Sequence, residues 1–132
     1  MIFLVLAASC ATNCTPIPPR TFTFCHTGGG MNCVVDGDTL WIDRVKIRIS
    51  DIDAPETHQP KCPAEKALGD RATQVLLAWV NAGAFELRVN GRQVDRYGRQ
   101  LRVLVRDGES VGSELISRGL ARKWDGARHP WC

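Results

Sequence analysis

Three short segments gather the charges that could do chemistry. Val34-Val35-Asp36-Gly37-Asp38-Thr39-Leu40 sets Asp36 and Asp38 two residues apart, on one face of a regular strand, with a glycine between them that allows close backbone approach. The second segment holds Arg48, Asp51, Asp53, Ala54, Pro55 and Glu56, and the third is Asp95-Arg96-Tyr97-Gly98-Arg99. Paired carboxylates with neighbouring carbonyls make a hard oxygen site, suited to calcium or magnesium rather than zinc. Arginines beside such a site suit phosphate, because the guanidinium fork donates bidentate hydrogen bonds and stays charged.

The charge distribution agrees. The chain has 132 residues and a net charge of +3, and its acidic and basic residues are not mixed evenly. Residues 31–70 carry eight acidic and five basic side chains, whereas residues 71–132 carry eleven basic and six acidic ones, a division that suits a cation site beside a polyanion site. The length is that of one domain. A hydrophobic fraction of 44% and a charged fraction of 23% exclude a disordered chain, a collagen-like repeat and a coiled coil. No apolar run approaches the roughly 20 residues of a membrane span.

These segments need elements to hold them. Residues 20–25 alternate as a short strand with Phe22 and Phe24 on one face, and residues 33–43 read as a second strand. Asp43-Arg44 is a tight connection into residues 45–53, where Val45, Ile47 and Ile49 alternate with Lys46, Arg48 and Ser50. The apolar parity slips between Ile49 and Ile52, which predicts a bulge near Ser50-Asp51. Cys62-Pro63-Ala64-Glu65 opens a helix carried by Leu68, Ala72, Val75, Leu76, Trp79 and Val80 and stopped at Gly83. Residues 85–90 and 100–106 read as strands, Asp107-Gly108 as a hairpin turn, and residues 111–117 as a short helix stopped by Gly119. The pattern is α+β and mainly β, and fits a five-stranded barrel of the oligonucleotide/oligosaccharide-binding type with two to three helices. Another α+β arrangement is equally open to composition alone.

Residues 1–19 stand apart as an apolar segment and a Pro-rich linker, and residues 20–132 as the domain. Met1 to Ala8 resembles a short secretory signal without its usual basic start, which points to export, periplasmic, secreted or lipid-anchored; without a working signal the chain would be cytoplasmic. Three prolines among residues 16–19 predict an extended linker. Six cysteines suit an oxidising compartment, with Cys25 paired to Cys33 across a glycine-rich loop and Cys62 paired to Cys132. A zinc site made from these cysteines with His26 or His58 is the alternative, but CxxC spacing is absent.

From Cys33 to Lys123 the chain resembles the staphylococcal nuclease (thermonuclease-like) family. The motifs that carry the likeness are VVDGDTL at 34–40, IRISDIDAPE at 47–56, DRYGRQL at 95–101 and VGSELISRGLA at 111–121. The resemblance implies a five-stranded barrel and calcium-dependent cleavage of DNA and RNA phosphodiesters by a monomer, on single-stranded or denatured substrate. It places metal ligands at Asp38, Asp53 and the main-chain carbonyl of Ala54, where family members often carry threonine. It makes Glu56 the carboxylate that activates water, Arg48 and Arg99 the arginines that grip the reacting phosphate, and Arg96 and Tyr97 the lining of the nucleotide pocket. Trp124 and Trp131 either stack on bases or fill the core.

Two departures stand out. No third helix follows Trp124, and the hairpin at 38–48 is shorter than usual. The rival reading is a catalytically inactive nucleic-acid-binding module of the same fold, although both carboxylates, Glu56 and both arginines are present here.

Overall fold

Residues 45–49 build the middle of the sheet, and Ile47 and Ile49 go to the core as their alternation predicts. Val45, on the same expected face, is exposed at the strand's start, whereas Arg48, on the expected polar face, is buried. The computed structural model describes residues 13–25 and 30–132. Its elements are β1 (Cys14–Ile17), β2 (Thr23–Phe24), β3 (Cys33–Asp36), β4 (Thr39–Ile42), β5 (Val45–Ile49), β6 (Ile52–Asp53), α1 (Pro63–Asn81), β7 (Phe85–Arg88), β8 (Gln100–Arg106), β9 (Glu109–Ser110), α2 (Val111–Ser117) and β10 (Arg122–Lys123). The main sheet runs β1-β7-β8-β5-β4-β3-β2, with β9 against β8, and β6 and β10 form a separate pair. Its five central strands, with α1 inserted between β5 and β7, are the mainly β, α+β barrel architecture expected from the sequence.

Leu40, Ile47, Ile49, Ile52, Leu104 and Leu115 are fully buried, each worth about 1.5–3 kcal/mol relative to exposure. α1 lays Ala72, Leu76 and Val80 onto this core. Its start is capped by Cys62, with Pro63 in the first turn, where its missing N–H costs nothing. The β4–β5 turn places Asp43 and Arg44 at φ 48° and 67°, the left-handed pair that a two-residue hairpin demands. Gly37 is needed for space. A Cβ there would lie 2.7 Å from the Ala72 Cβ and 2.9 Å from the Ala54 Cβ.

Several expectations change. Residues 33–43 hold a hairpin, β3 and β4, whose register shifts at Val34/Asp36; Asp36 ends β3 and Asp38 sits in the turn, so the two do not share a strand face. The stretch expected as linker contains β1, paired antiparallel with β7 and burying Ile17. Pro16 is tolerated within β1 because β1 is an edge strand, where the lost N–H faces no partner, and Pro18 and Pro19 follow its end. Phe22 is buried in the core and Phe24 is partly exposed, so these two do not share a face. The parity slip at Ser50-Asp51 is a full break between β5 and β6, and β6 pairs with β10, a strand the sequence reading did not include. Residues 124–132 contain no helix. Cys25 is bonded to Cys33 and Cys62 to Cys132. The apolar start at residues 1–8, Cys10 and His26 lie outside the described residues.

Candidate active site on the barrel rim

Cross-strand register brings the first two chemical segments together. Thr39 on β4 stands opposite Arg48 on β5, which sets the guanidinium beside the turn that carries Asp38. Arg48 is buried, with Nη2 3.6 Å from Asp38 Oδ2 and 3.8 Å from Asp53 Oδ1. Its Nη1 donates to the carbonyls of Ile49 and Ile52, which the break between β5 and β6 leaves facing it. The break that interrupts the strand thus also seats the arginine.

Asp38 and Asp53 are buried beside this cation, and Asp36, also buried, accepts the Asp38 N–H at 3.2 Å. Asp38 is held on both oxygens: Thr39 Oγ1 donates to Oδ1 at 3.0 Å and the Ala54 N–H to Oδ2 at 2.9 Å. Burial drives the Asp36 carboxyl well above its ordinary pKa, and the charge of Asp38 adds to the effect. Burial also raises Asp53, with repulsion from Asp38 next, while Arg128 and Arg48 pull it back. The Trp131 indole N–H acts in the same direction, although neither Trp131 Nε1 nor Asp53 Oδ1 completes a hydrogen bond of ordinary geometry. Asp53 Oδ1 is thus a buried oxygen that faces Arg48 without a hydrogen bond to satisfy it. Among the described residues, no three His, Cys, Asp or Glu side chains gather as a metal cage.

Glu56 follows Pro55 at the edge of this cluster. Its backbone N–H donates to Glu65 Oε2 at 3.3 Å, and the Lys61 N–H donates to Glu65 Oε1 at 2.7 Å. A buried glutamate in the first turn of α1 therefore pins the loop that carries Glu56. Close packing fixes the other side, since a Cβ on Gly69 would lie 2.8 Å from the Pro55 carbonyl oxygen. The Glu56 carboxylate is paired with Arg128.

The third segment meets Arg48 across a groove of about 980 Å³ lined by five arginines (48, 92, 96, 99 and 128), with Asp95 as its acidic member; Asp38, Asp53 and Glu56 are not among its lining residues. Arg99 precedes β8, and its Nε donates to Asp95 Oδ2 at 2.6 Å. Arg96 and Arg99 lie 4.9 and 5.6 Å from the ring centre of Tyr97, which is 68% exposed. Trp124 lies in the groove with Arg48 5.5 Å from its ring, so it belongs to the rim and not to the core.

Residues 46–130 match the family model described as "Staphylococcal nuclease homologue". The chain belongs to this family. The matched stretch of this staphylococcal nuclease homologue includes Arg48, Asp53, Glu56, Arg99 and Arg128. It is 33% identical over 93 residues to the endonuclease YncB of Bacillus subtilis, covering 67% of this chain and 44% of the relative. The SPbeta prophage-derived endonuclease YokF of the same organism is 36% identical over 95 residues, 67% of this chain and 31% of that protein. The micrococcal nuclease of Shigella flexneri is 37% identical over 75 residues, 54% and 38% of the two chains. The homologue thus spans less than half the length of each of these relatives.

Sequence reasoning did not reach Glu65 or Arg128. Glu65 had a signal, since an acidic residue three positions after a helix cap commonly reaches back to the preceding loop. Arg128 had none beyond being one basic residue among many near the end of the chain.

Proposed function

We propose that this chain is a calcium-dependent phosphodiesterase that cleaves single-stranded or denatured DNA and RNA. The observation that carries this reading is the position of Arg48, buried within ion-pair reach of both Asp38 and Asp53 on a groove that also holds Arg99. A structural arginine needs one counter-ion; this one joins an acidic pocket to a basic groove.

The donor set fits a hard cation. Asp38, Asp53 and the main-chain carbonyl of Ala54 would hold calcium, and Asp53 Oδ1, buried without a hydrogen-bond partner, is an oxygen that a cation would satisfy. When bound, the ion supplies positive charge at a phosphate oxygen.

The side chains carry the rest. Glu56 takes a proton from water as the water oxygen bonds to phosphorus. The bond from phosphorus to the 5′ sugar oxygen breaks, that oxygen takes up a proton from solvent, and the phosphate remains on the 3′ side. Arg48 and Arg99 donate to the non-bridging oxygens, where charge accumulates in the transition state. Arg99 is held meanwhile by Asp95, so its guanidinium is oriented before substrate arrives. Tyr97 offers an exposed ring to a neighbouring nucleotide, with Arg96 beside it for a second phosphate. The Cys25–Cys33 and Cys62–Cys132 disulfides suit an exported protein. No helix among the described residues is long and apolar enough to cross a membrane.

The test is incubation of folded protein with heat-denatured DNA, with calcium and with chelator. Calcium-dependent fragmentation is expected. Binding without cleavage would replace this reading with that of an inactive binding domain.

A further inference from the structure

Residues 124–132 form neither helix nor strand, and all but Trp131 are exposed, so burial does not set their course. Their path is fixed all the same. Asp125 Oδ1 accepts the Ala127 N–H at 3.2 Å, and Asp125 Oδ2 meets His129 Nε2 at 2.7 Å. Arg122 Nη1 donates to the carbonyls of His129 and Pro130 at 3.3 and 2.8 Å, and its guanidinium lies 3.9 Å from the Trp131 ring centre. Cys132 is then bonded to Cys62, in the segment that leads into α1.

What these anchors present is Arg128. Its guanidinium donates to Glu56 Oε1, and it lines the same groove as Arg48, Arg99 and Trp124. The side chain is 53% exposed, so it is held in the groove without being buried there. A half-exposed ion pair of this kind is worth about 1 kcal/mol or less. It cannot keep a polyanion out of a groove with four further arginines, and a phosphate offers the guanidinium two oxygens in place of one.

We infer that Arg128 is a further substrate-binding arginine, which pairs with Glu56 and transfers to a phosphate when a strand binds, and that the Cys62–Cys132 bond holds it in reach. The inference builds on the phosphodiesterase reading. The transfer leaves Glu56 free to accept a proton at the moment substrate is present.

The experiment measures binding of a short fluorescein-labelled single-stranded oligodeoxynucleotide by anisotropy in chelator, across a range of salt concentrations, alongside steady-state cleavage with calcium. Arg128→Ala should weaken binding about tenfold at low salt and flatten the slope of log affinity against log salt by about 0.7, the loss of one phosphate contact to a single strand. KM should rise by a similar factor with kcat little changed, and Arg128→Lys should recover most of the binding. Cys132→Ser should lower affinity as Arg128→Ala does, and combining the two should add little.

Unchanged affinity and salt slope in Arg128→Ala would overturn the inference while wild-type cleavage upheld the phosphodiesterase reading. Faster cleavage by Arg128→Ala with unaltered binding would overturn it in favour of an inhibitory latch. Wild-type affinity in Cys132→Ser would remove the tether. A wild-type protein whose binding depends on Arg128 but which never cleaves would sink the phosphodiesterase reading alone.

Discussion

The backbone N–H of Ala54 donates to Asp38 Oδ2 at 2.9 Å, tying the exit of β6 to the β3–β4 turn. The two carboxylates proposed as cation ligands are therefore fixed to each other through the main chain. Asp38→Asn keeps an acceptor for this bond and removes the charge. In chelator its thermal midpoint should stay close to that of the wild type. Calcium should stabilise the wild type by about 2.7 kcal/mol at a hundredfold excess over Kd, and the variant hardly at all. Equal calcium stabilisation of both proteins in a thermal melt would exclude Asp38 as a ligand.

Arg48 should tolerate no replacement. Lysine keeps the charge but not the fork that reaches the Ile49 and Ile52 carbonyls while facing both carboxylates. Arg48→Lys is expected to lower kcat by about 10²-fold. Arg48→Met strands Asp38 and Asp53 and should cost about 3 kcal/mol of stability in chelator. Denaturant unfolding and single-turnover cleavage separate the two effects.

Much of the scaffold was legible because it rests on local signals. β8 and α2 follow directly from alternation, a two-residue turn and glycine stops. Arg48, Glu56 and Arg99 stood out because charged residues cluster where strands end. The parts that were not legible depend on pairing at a distance. β6 and β10 are two residues each and find one another across the chain, so neither has a period of its own. The Asp36 to Asp38 turn looked like continuous strand because Val34, Leu40 and Ile42 are all apolar, and the packing of Ala72 and Ala54 against Gly37 is a contact made at a distance in the sequence. Arg128 meets Glu56 because distant contacts, those of Arg122 with residues 129–131 and the Cys62–Cys132 bond, bring the end of the chain to the start of α1.

The packing against Gly37 can be probed directly. Gly37→Ala would drive a methyl group into Ala72 and Ala54, and is expected to destabilise by about 1–3 kcal/mol. Ala72→Gly should relieve part of the clash, although a glycine inside α1 itself costs about 1 kcal/mol. A double-mutant cycle measured by urea unfolding checks the coupling. Strictly additive effects would mean that the turn moves away from α1 instead of pressing on it.

Asp95 governs the loop that presents Tyr97 and Arg99. Its Oδ1 accepts the N–H groups of Tyr97 and Arg99, each at 2.9 Å, and its Oδ2 accepts Arg99 Nε. Partial burial pushes the carboxyl upward, but the hydrogen bonds from Arg99 and Tyr97 outweigh it and hold the group below its ordinary value of 3.8. The unfolded chain therefore takes up this proton first as pH falls. The stabilisation is complete above pH 3.8 and disappears as pH drops through the folded-state value. Wild type should melt above Asp95→Asn at neutral pH, and the gap should close in acid below that value. A gap that is constant with pH would show that the carboxylate charge contributes nothing.

The Cys62–Cys132 bond has one more effect, on what a protease can do to this protein. It closes a ring through α1, β7, β8 and α2, and the exposed loop carrying Arg96 and Tyr97 lies inside that ring. A single cut in that loop would produce two peptides on a reducing gel and one molecule in solution. The severed pieces would stay together, with Glu56 ahead of the cut and Arg99 and Arg128 beyond it. In surroundings rich in proteases, a nicked copy would remain covalently whole and in a position to re-form its groove.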